Sequence, residues 1–494
     1  MVFGLFKKNE IADVIFKSGQ IYTLNPDAPK ARGMACKDGK IIAIGDDKSL
    51  EELRGKHTET VDLSGRTVLP GFIDVCGHPV LQAFENVCLI LYDDMTKEQM
   101  FEALSGYIKA NPDKHAYFAY GFDTTLLIDK SQKELLTMLD KVCSDKPVVL
   151  LDISGAEGWF NTKALEMVKE SMDQEDPPII TLPYILHVLS PIDFEQLQGA
   201  ILEIIAESCQ KGYTMIFDCG APDYLHSIYQ EIVIELFQME MRKQRFRGSH
   251  FVMRNITPEY AVRRFVQKST ACSETDKHVS CDVLKLILSD ARNADPEGKK
   301  ISLELFKILA KEATDRGFNL HVDAIEKTDV ADAFEAAFTA KSAGSKKSHF
   351  TIAHDNEFTE EERMELFVEN DICETGSTLG DFRRKYVSAD KAEDTAKAID
   401  ALTIDAAAQL GINDEFGSLE VGKYADFAIF DDDPFASNIK EFRKVNVWMT
   451  IIAGKVAYNS QEDSAQSWKE ILKSKQDELN DQMLEEYDDD EILT

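Results

Sequence analysis

The sequence predicts an α/β protein built on a parallel barrel or a doubly wound sheet, and two features of the chain support this. Between about residues 201 and 410, helical segments such as FEQLQGAILEIIAESCQKG alternate with short apolar runs, the rhythm of parallel strands joined by helices. Both ends of the chain instead carry short β-type runs separated by turn residues. At 494 residues the chain is too long for one core, because single cores stop growing at roughly 250 to 300 residues.

The charge balance restricts the classes of partner. The chain has 55 basic and 88 acidic residues, a formal net charge of −33, so it repels phosphate backbones and anionic lipid. We therefore expect a small-molecule substrate, no nucleic acid and no membrane. Nine cysteines without a C-x-x-C pair indicate reduced thiols, and no signal peptide or apolar span of ~20 residues is evident. These features predict a cytoplasmic protein and leave the oligomeric state open, a homo-oligomer included.

The two ends of the chain predict one small β-sandwich that is discontinuous in sequence. Residues 11–70 contain ADVIF, QIYTL, GMACKD, KIIAIG and TVLPG, and residues 412–460 contain SLEVGKYADFAIFDDDPF and VWMTIIAGKVAY. Residues 461–494 have helical spacing followed by an acidic run. A solvated terminal helix or tail explains that segment, and a partner-binding tail is the alternative.

Seven apolar runs are candidates for the barrel strands, in a domain of residues 71–79 plus 201–411. They are GFIDVCGH, YTMIFDCG, SHFVMRN, VLKLILSD, FNLHVDAI, HFTIAHDN and, with a weaker pattern, DICETGST. Residues 80–200 follow the first of these strands and form a long insertion with strand-like AYFAYGF and PVVLLDIS. Insertions of this kind are tolerated in loops on the catalytic face of a barrel, where they shape the substrate pocket.

Candidate metal ligands begin at the first barrel strand, in the segment LPGFIDVCGHP of residues 69–79. Asp74, Cys76 and His78 occupy alternate positions, and side chains two apart on a strand point to the same face. Three potential ligands would therefore face the barrel interior. Taken alone, the pattern also fits a buried thiol beside a core histidine, with no metal.

With this motif the sequence resembles the amidohydrolase superfamily, in its YtcJ-like branch, whose first strand reads LPGFIDSHGHP and places two histidines on a divalent metal. The resemblance covers most of residues 11–458 and continues through GAEGWFNTKAL, KGYTMIFDCG, VLKLIL, VDAIEKTDVADAFEAA, IAHDN, ALTIDAAAQLG and FGSLEVGKYADFAIFDDDPF. It implies a TIM-like (β/α) barrel flanked by the small sandwich. It says less about activity, because the matching segments are mostly scaffold.

The resemblance implies a divalent-metal site, zinc in the first place, at five positions of this chain. His78 and His354 match histidine ligands of the family, whereas Cys76 and Asp323 stand where the family has histidines. Lys285 lies in VLKLIL, on the strand where many members carry a carboxylated lysine that bridges two metals. The alternative is an ion-paired structural lysine, because a charge in an apolar strand is costly unless it is paired.

Other positions depart from the family pattern. Ala353 replaces a glutamate that precedes the histidine ligand, and Ala156 replaces a histidine that faces the substrate in relatives. A polar substrate contact is thus lost, and no substrate-binding residue can be named. His321 precedes Asp323 by two residues, or ~6.6 Å along the strand, too far to replace a ligand, so we assign it to the core.

The last barrel strand of the family ends in Ser-Asp, whose aspartate binds metal and moves the proton of the attacking water. About fifty residues separate His354 from the TIDAAA helix, and they hold helical segments but no apolar strand ending in Ser-Asp. Asp381 is a weak candidate for the missing carboxylate because it follows no strand. Either the eighth strand is absent or another segment takes its place.

The remaining ligand set permits two kinds of zinc site. Thiolate, imidazole and carboxylate all bind zinc, so Cys76, His78, Asp323 and His354 form an acceptable quartet, but four protein ligands make a closed, structural site. If Cys76 stays off the metal, three ligands leave room for water, with Asp355 or Glu357 as replacement bases.

Two hypotheses from different classes follow from the sequence. The first is an atypical metal-dependent hydrolase of an amide or urea-type C–N bond in a small molecule. The second is a catalytically inactive relative that is retained for binding or assembly. A lyase or isomerase on the same barrel is a third reading that no residue selects.

Overall fold

The computed structural model divides the chain into two compact units, Met1–His78 with Leu202–Gly220 and Val233–Thr494, and Pro79–Ile201 with Ala221–Ile232. The structure describes residues 11–75, 77–91, 95–122, 131–152, 158–171, 182–220, 223–238, 244–252, 262–263, 265–266, 278–288, 303–324, 328–329, 332–333, 335–336, 348–353, 372–375, 392–436 and 444–461. Among these residues, no helix is both long and apolar enough to span a lipid bilayer. The finer domain boundaries given above stay a prediction.

Both ends of the chain contribute strands to two sheets in the first unit. The strands are β1 (Val14–Lys17), β2 (Gln20–Tyr22), β3 (Lys30–Ala31), β4 (Gly33–Lys37), β5 (Lys40–Gly45), β6 (Glu59–Asp62), β7 (Thr67–Pro70), β19 (Phe427–Phe430), β20 (Val447–Ile452) and β21 (Lys455–Asn459). One sheet has the order β5-β4-β1-β6, and the other has the order β21-β20-β19-β7-β2-β3. The two sheets share one buried apolar cluster, in which Phe16 and Met34 of the first pack with Ile21, Phe427 and Ile451 of the second. Between β5 and β6 lie helix α1 (Asp47–Leu50) and a 3-10 turn (Glu51–Leu53).

The second unit contains a four-stranded sheet of its own. Its strands are β9 (Leu89–Ile90), β10 (Tyr117–Phe122), β11 (Val148–Asp152) and β12 (Gly158–Phe160), in the order β12-β11-β10-β9, and its helices are α2 (Pro79–Phe84), α3 (Lys97–Ala110), α4 (Gln132–Asp140), α5 (Thr162–Glu170) and α6 (Leu182–Leu189). The predicted strands AYFAYGF and PVVLLDIS correspond to β10 and β11. Two capping boxes, at Thr96 and Ser131, begin α3 and α4.

Within the described residues, a curled sheet of seven parallel strands carries the predicted site. The strands are β8 (Phe72–Asp74), β13 (Tyr213–Phe217), β14 (Arg245–Val252), β15 (Val279–Ile287), β16 (Asn319–Asp323), β17 (Phe350–Ala353) and β18 (Ile372–Thr375), and they pair in chain order from β8 to β18. All seven predicted strands are confirmed, and the weak candidate DICETGST is β18. Helices α7 (Phe194–Gln210) and α8 (Asp223–Gln238) each have residues in both units, and α9 (Leu303–Arg316), α10 (Ala392–Leu402) and α11 (Ile404–Gln409) belong to the first unit.

Side-chain alternation gives the parallel sheet two different faces. Leu284 and Leu286 pack with Phe306 and Leu309 of α9, so this face is covered by helix. Val283, which directly precedes Leu284 and lies on the other face, packs instead with apolar residues of β8, β13 and α11. Lys285 has the same parity as Val283 and therefore lies on that inner face.

Helix α11 closes the amino-terminal end of the inner face. It contacts both edge strands, β8 and β18. The Leu410 carbonyl, just after α11, accepts hydrogen bonds from Arg247 Nη1 and Asn319 Nδ2, each at 2.8 Å. The carbonyls at the end of a helix lack intrahelical donors, so side chains of β14 and β16 supply them here. Residues 376–391 lie outside the described residues, so the fate of the eighth strand stays a prediction.

Candidate functional site

The carboxyl-terminal ends of β15 and β16 bring Lys285 and Asp323 together. The backbone register places Lys285 opposite His321, so Asp323 is the diagonal neighbour of Lys285 on the same face. Lys285 Nζ donates a hydrogen bond to Asp323 Oδ1 at 2.5 Å, with side-chain exposures of 5% and 14%. This is the contact of an ammonium with a carboxylate. A carboxylated lysine at this distance would place two anions against each other.

His321 contributes an imidazole to the same carboxylate. Its Nε2 lies 3.7 Å from Asp323 Oδ1, and the side chain is as buried as that of Lys285. The centroids of the His321 and Phe217 rings are 5.7 Å apart, so an aromatic residue of β13 packs on the imidazole. His321 is therefore a buried neighbour of the ion pair, in agreement with its predicted place in the core.

Asp218 brings a second carboxyl group to this end of the sheet. It directly follows β13, is 0% exposed, and its backbone N–H donates to the Arg247 carbonyl at 2.9 Å. Burial raises the pKa of Asp218 to about 7, although the Gly220 backbone N–H and the positive charge of Lys285 both oppose that rise. Near neutral pH the group therefore populates both its charged and its neutral form.

Residues 219 and 220 fix the loop that carries His78. Cys219 N–H donates to the Gly77 carbonyl and Cys219 Sγ to the Val75 carbonyl, both at 3.0 Å. The exposed His78 has its Nδ1 2.9 Å from the Gly220 carbonyl. Because a carbonyl only accepts, Nδ1 must carry the proton, and Nε2 is then the nitrogen with the lone pair.

The backbone of Gly220 connects His78 to Asp218. Its carbonyl accepts from His78, while its N–H is near enough to the carboxyl group of Asp218 to lower the pKa of that group. Gly220 has a φ of 126°, a conformation in which any other residue is strained. The sequence YTMIFDCG thus ends in the one residue type that makes both contacts at low cost.

We call Asp218, Lys285, His321 and Asp323 the Lys285 cluster. Of the five predicted metal ligands, the structure brings Lys285 and Asp323 together and ties His78 to the Gly220 carbonyl, two residues after Asp218. The predictions for Cys76, Ala156, His354, Asp355, Glu357 and Asp381 concern positions outside the described residues and stay predictions. The sequence reading missed Asp218, although an aspartate directly after an apolar strand is the signal that identified the other strand-end residues.

The chemistry of the donor set decides whether a metal fits among the described residues. His78 fits, because metal-bound histidines typically donate their second ring nitrogen to a carbonyl or carboxylate. Lys285 and Asp323 do not fit in their paired state, since an ammonium offers no lone pair and already neutralises the carboxylate. Within the described part of the chain, no group of three or more His, Cys, Asp or Glu residues is arranged to hold a metal ion.

Comparison with known proteins gives a family match across most of the chain. The profile of the amidohydrolase family matches residues 59–367 and 373–458. The chain is 31% identical over 180 residues to the exoenzymes regulatory protein AepA of Pectobacterium carotovorum, a match that covers 36% of this chain and 39% of AepA. It is 25% identical over 169 residues to the putative amidohydrolase YtcJ of Bacillus subtilis, covering 33% of this chain and 31% of YtcJ. The predicted resemblance to YtcJ-like amidohydrolases is thus confirmed.

Two further similar proteins are a curated enzyme and a solved crystal structure. An N-substituted formamide deformylase of Arthrobacter pascens is 24% identical over 161 residues, which is 32% of this chain and 30% of that enzyme. The chain thus spans less than two-fifths of the length of each of these curated relatives. The crystal structure of an adenosine deaminase from Xanthomonas campestris with bound zinc has a TM-score of 0.55 and 14% identity, covering 95% of this chain and 98% of that one. At this identity the likeness concerns the fold.

Proposed function

This chain belongs to the amidohydrolase family, and on that basis we propose that it is an atypical hydrolase of an amide or urea-type C–N bond in a small molecule. The family and its hydrolase neighbours support a hydrolase at a general level. The names of two similar proteins, a formamide deformylase and an adenosine deaminase, refer to reactions at C–N bonds.

One observation carries the proposal, namely the buried, ionisable Lys285 cluster at the carboxyl-terminal ends of β13, β15 and β16. The neighbouring inner-face residues Ile73, Phe217 and Val283 are apolar, and burying charged groups among them costs stability that further apolar residues would not. Enzymes built on parallel barrels place their reactive groups at this end of the strands. A buried acid with a raised pKa in such a place is a candidate for proton transfer.

Lys285 and Asp218 of the cluster, together with His78, supply three elements of amide hydrolysis. The Lys285 ammonium donates to the carbonyl oxygen of the substrate and stabilises the negative charge that develops there. Asp218 takes a proton from the attacking water and returns it to the leaving nitrogen, which a pKa near 7 favours. His78, whose Nδ1 is bound to the Gly220 carbonyl, accepts a hydrogen bond at Nε2.

A metal ion enters this scheme as a separate prediction. Bound zinc would polarise the carbonyl group and acidify water. The ligands predicted for it are Cys76, His78, Lys285, Asp323 and His354, and the ion pair of Lys285 with Asp323 opposes two of them. The steps above therefore involve only the side chains of the chain itself.

A specific observation favours a second candidate, a protein of the same fold that binds but does not hydrolyse. Lys285 and Asp323 neutralise each other in a buried contact. A pair that is satisfied in this way stabilises the fold without contributing to a reaction. This candidate is the second hypothesis drawn from the sequence, a catalytically inactive relative that is retained for binding or assembly.

Hydrolysis of a panel of N-substituted formamides, ureas and simple amides, followed by release of amine or ammonia, separates the two candidates. We expect turnover of at least one class, and a loss of about 100-fold or more in kcat/KM for Asp218→Asn, because general acid–base groups contribute 10²- to 10⁴-fold. Lys311→Met, an exposed lysine of α9, serves as the control and should retain the wild-type rate. No turnover by the folded protein, or turnover that Asp218→Asn leaves intact, removes the hydrolase proposal.

A further inference from the structure

We infer that the Lys285 ammonium is the resident cation of this site and keeps divalent metal ions away from Asp323. The inference concerns the same end of the sheet as the proposed function, but it does not depend on catalysis. It departs from the family pattern, in which lysine at this strand is a metal ligand after carboxylation.

The first argument is the geometry of the ion pair. Lys285 Nζ lies 2.5 Å from Asp323 Oδ1, and the backbone register of β15 and β16 sets this diagonal contact. A zinc ion on the same carboxylate would lie about 2.0–2.2 Å from its oxygen. It would therefore lie within a few ångströms of the ammonium, and the two like charges would repel strongly in a buried site.

The second argument is the charge balance around the ammonium. Lys285 faces Asp323 at contact distance and is close enough to Asp218 to lower the pKa of that carboxyl group. His321 approaches the same oxygen of Asp323. One fixed positive charge thus serves two carboxyl groups. Removing it would leave the Asp323 carboxylate without its counter-ion and 3.7 Å from the His321 imidazole, and zinc accepts both of these ligand types.

The third argument is burial. The side chain of Lys285 is 5% exposed, and it lies on the same face of β15 as the buried Val283 two residues earlier. A buried lysine without its partner carboxylate would be strongly disfavoured. The fold therefore holds the ammonium in place through packing on one side and through Asp323 on the other.

The experiment measures metal content and metal response in the full-length protein. Elemental analysis of protein purified without added metal, and melting temperatures with EDTA and with zinc chloride, are compared for the wild type and two variants. Lys285→Gln removes the ammonium. Lys311→Gln removes a lysine that contacts Asp315 at the same 2.5 Å but on the exposed surface of α9.

We expect less than about a tenth of an equivalent of zinc in the wild type, and a melting temperature that neither EDTA nor zinc changes. Zinc at ~100 times its Kd should raise the melting temperature of Lys285→Gln by several degrees, because a ligand that binds only the folded state stabilises it. Lys311→Gln should behave as the wild type does.

Three results overturn the inference. They are near-stoichiometric zinc in the wild type with a melting temperature that falls in EDTA, a carbamate signal on Lys285 after growth in labelled bicarbonate, and a folded Lys285→Gln that does not respond to zinc. If Lys285→Gln does not fold, the zinc content and the melting temperatures of the wild type still show whether the site holds a metal ion. The double variant Lys285→Met/Asp323→Leu then serves as a folded comparison, since well-packed apolar residues often replace a buried ion pair without loss.

These results are distinct from those of the hydrolysis assay. Metal in the wild type overturns the resident-cation inference and leaves a hydrolase standing. A wild type without metal and without turnover removes the hydrolase and leaves the inference intact.

Discussion

At the scale of single residues, the site depends on where each side chain lies relative to a strand end. Asp218 and Gly220 follow β13 in the segment DCG, and the Gly220 carbonyl accepts a hydrogen bond from the imidazole of His78. The ion pair of Lys285 with Asp323 could not be derived from the sequence, because the diagonal contact depends on the register between β15 and β16. Periodicity gives the face of a side chain but not its partner on the next strand.

The raised pKa of Asp218 predicts a pH dependence of stability. The pKa is about 7 in the folded protein, against roughly 4 in an unfolded chain. Between these values the folded state holds a proton that the unfolded state has lost, so the free energy of unfolding falls as the pH rises from about 4 to 7. Each pKa unit corresponds to about 1.4 kcal/mol, so the effect amounts to a few kcal/mol.

The free energy of unfolding in urea, measured for the wild type and Asp218→Asn at pH 5 and pH 8, tests this pH dependence. The asparagine does not titrate, so the variant should gain stability relative to the wild type as the pH rises. Asp27→Asn, at an exposed turn, is the control. Its free energy of unfolding should change between pH 5 and pH 8 by as much as that of the wild type. If the free energy of unfolding changes equally with pH in the wild type and in Asp218→Asn, Asp218 is ionised throughout this pH range.

At the scale of elements, strands were easier to predict than the contacts between them. Apolar runs bounded by Gly, Asp or Asn identified all seven parallel strands, and also β10 and β11. No sequence pattern indicates β9 and β12, because strands of two or three residues are too short to show alternation. The sequence also did not show that α11 ends against the inner face of the sheet.

The end of α11 provides a test of how the amino-terminal side of the sheet is held. Asn319 Nδ2 donates to the Leu410 carbonyl at 2.8 Å, and its Oδ1 accepts from His349 N–H at 2.9 Å. Asn319→Leu leaves these buried groups with fewer partners, and each such loss costs about 1–3 kcal/mol. We expect a loss of about 2 kcal/mol in the free energy of unfolding, with faster amide hydrogen exchange in α11.

Asn413→Ala, at an exposed position just beyond α11, is the matched control and should stay within about 0.5 kcal/mol of the wild type. An Asn319→Leu variant that is equally unaffected would mean that α11 is held by apolar packing alone.

At the scale of the whole molecule, a few buried charges join distant parts of a strongly acidic chain. Arg245 of β14 makes a bidentate ion pair with Asp426, through Nε at 2.6 Å and Nη2 at 3.0 Å, and both side chains are almost fully buried. Asp426 also accepts from Ala453 N–H at 2.8 Å. The parallel sheet and the strands near the end of the chain are therefore connected by one buried carboxylate. Only the scaffold around this contact, and not the contact itself, was predicted from the sequence.

Loss of this pair should destabilise the protein strongly. Arg245→Met leaves Asp426 buried with only its backbone donor, and breaking a buried pair in this way costs about 3–5 kcal/mol. Arg316→Met removes an exposed arginine that lies 3.5 Å from Glu312, and its cost should be below about 1 kcal/mol. Guanidinium unfolding curves measure the loss in the free energy of unfolding for each variant. Equal losses in the two variants would contradict a stabilising role for the buried ion pair.

The pairing of β7 with β19 has a consequence for the time course of biosynthesis. Thr67 lies opposite Phe430, and the two residues leave the ribosome several hundred codons apart. At about 5–20 residues per second this interval is roughly 20–70 s. During that time the edge of β7 that β19 later covers has no partner, and unpaired strand edges attract other nascent chains. The sheet that contains β2, β3 and β7 thus stays incomplete until β19, β20 and β21 have been translated.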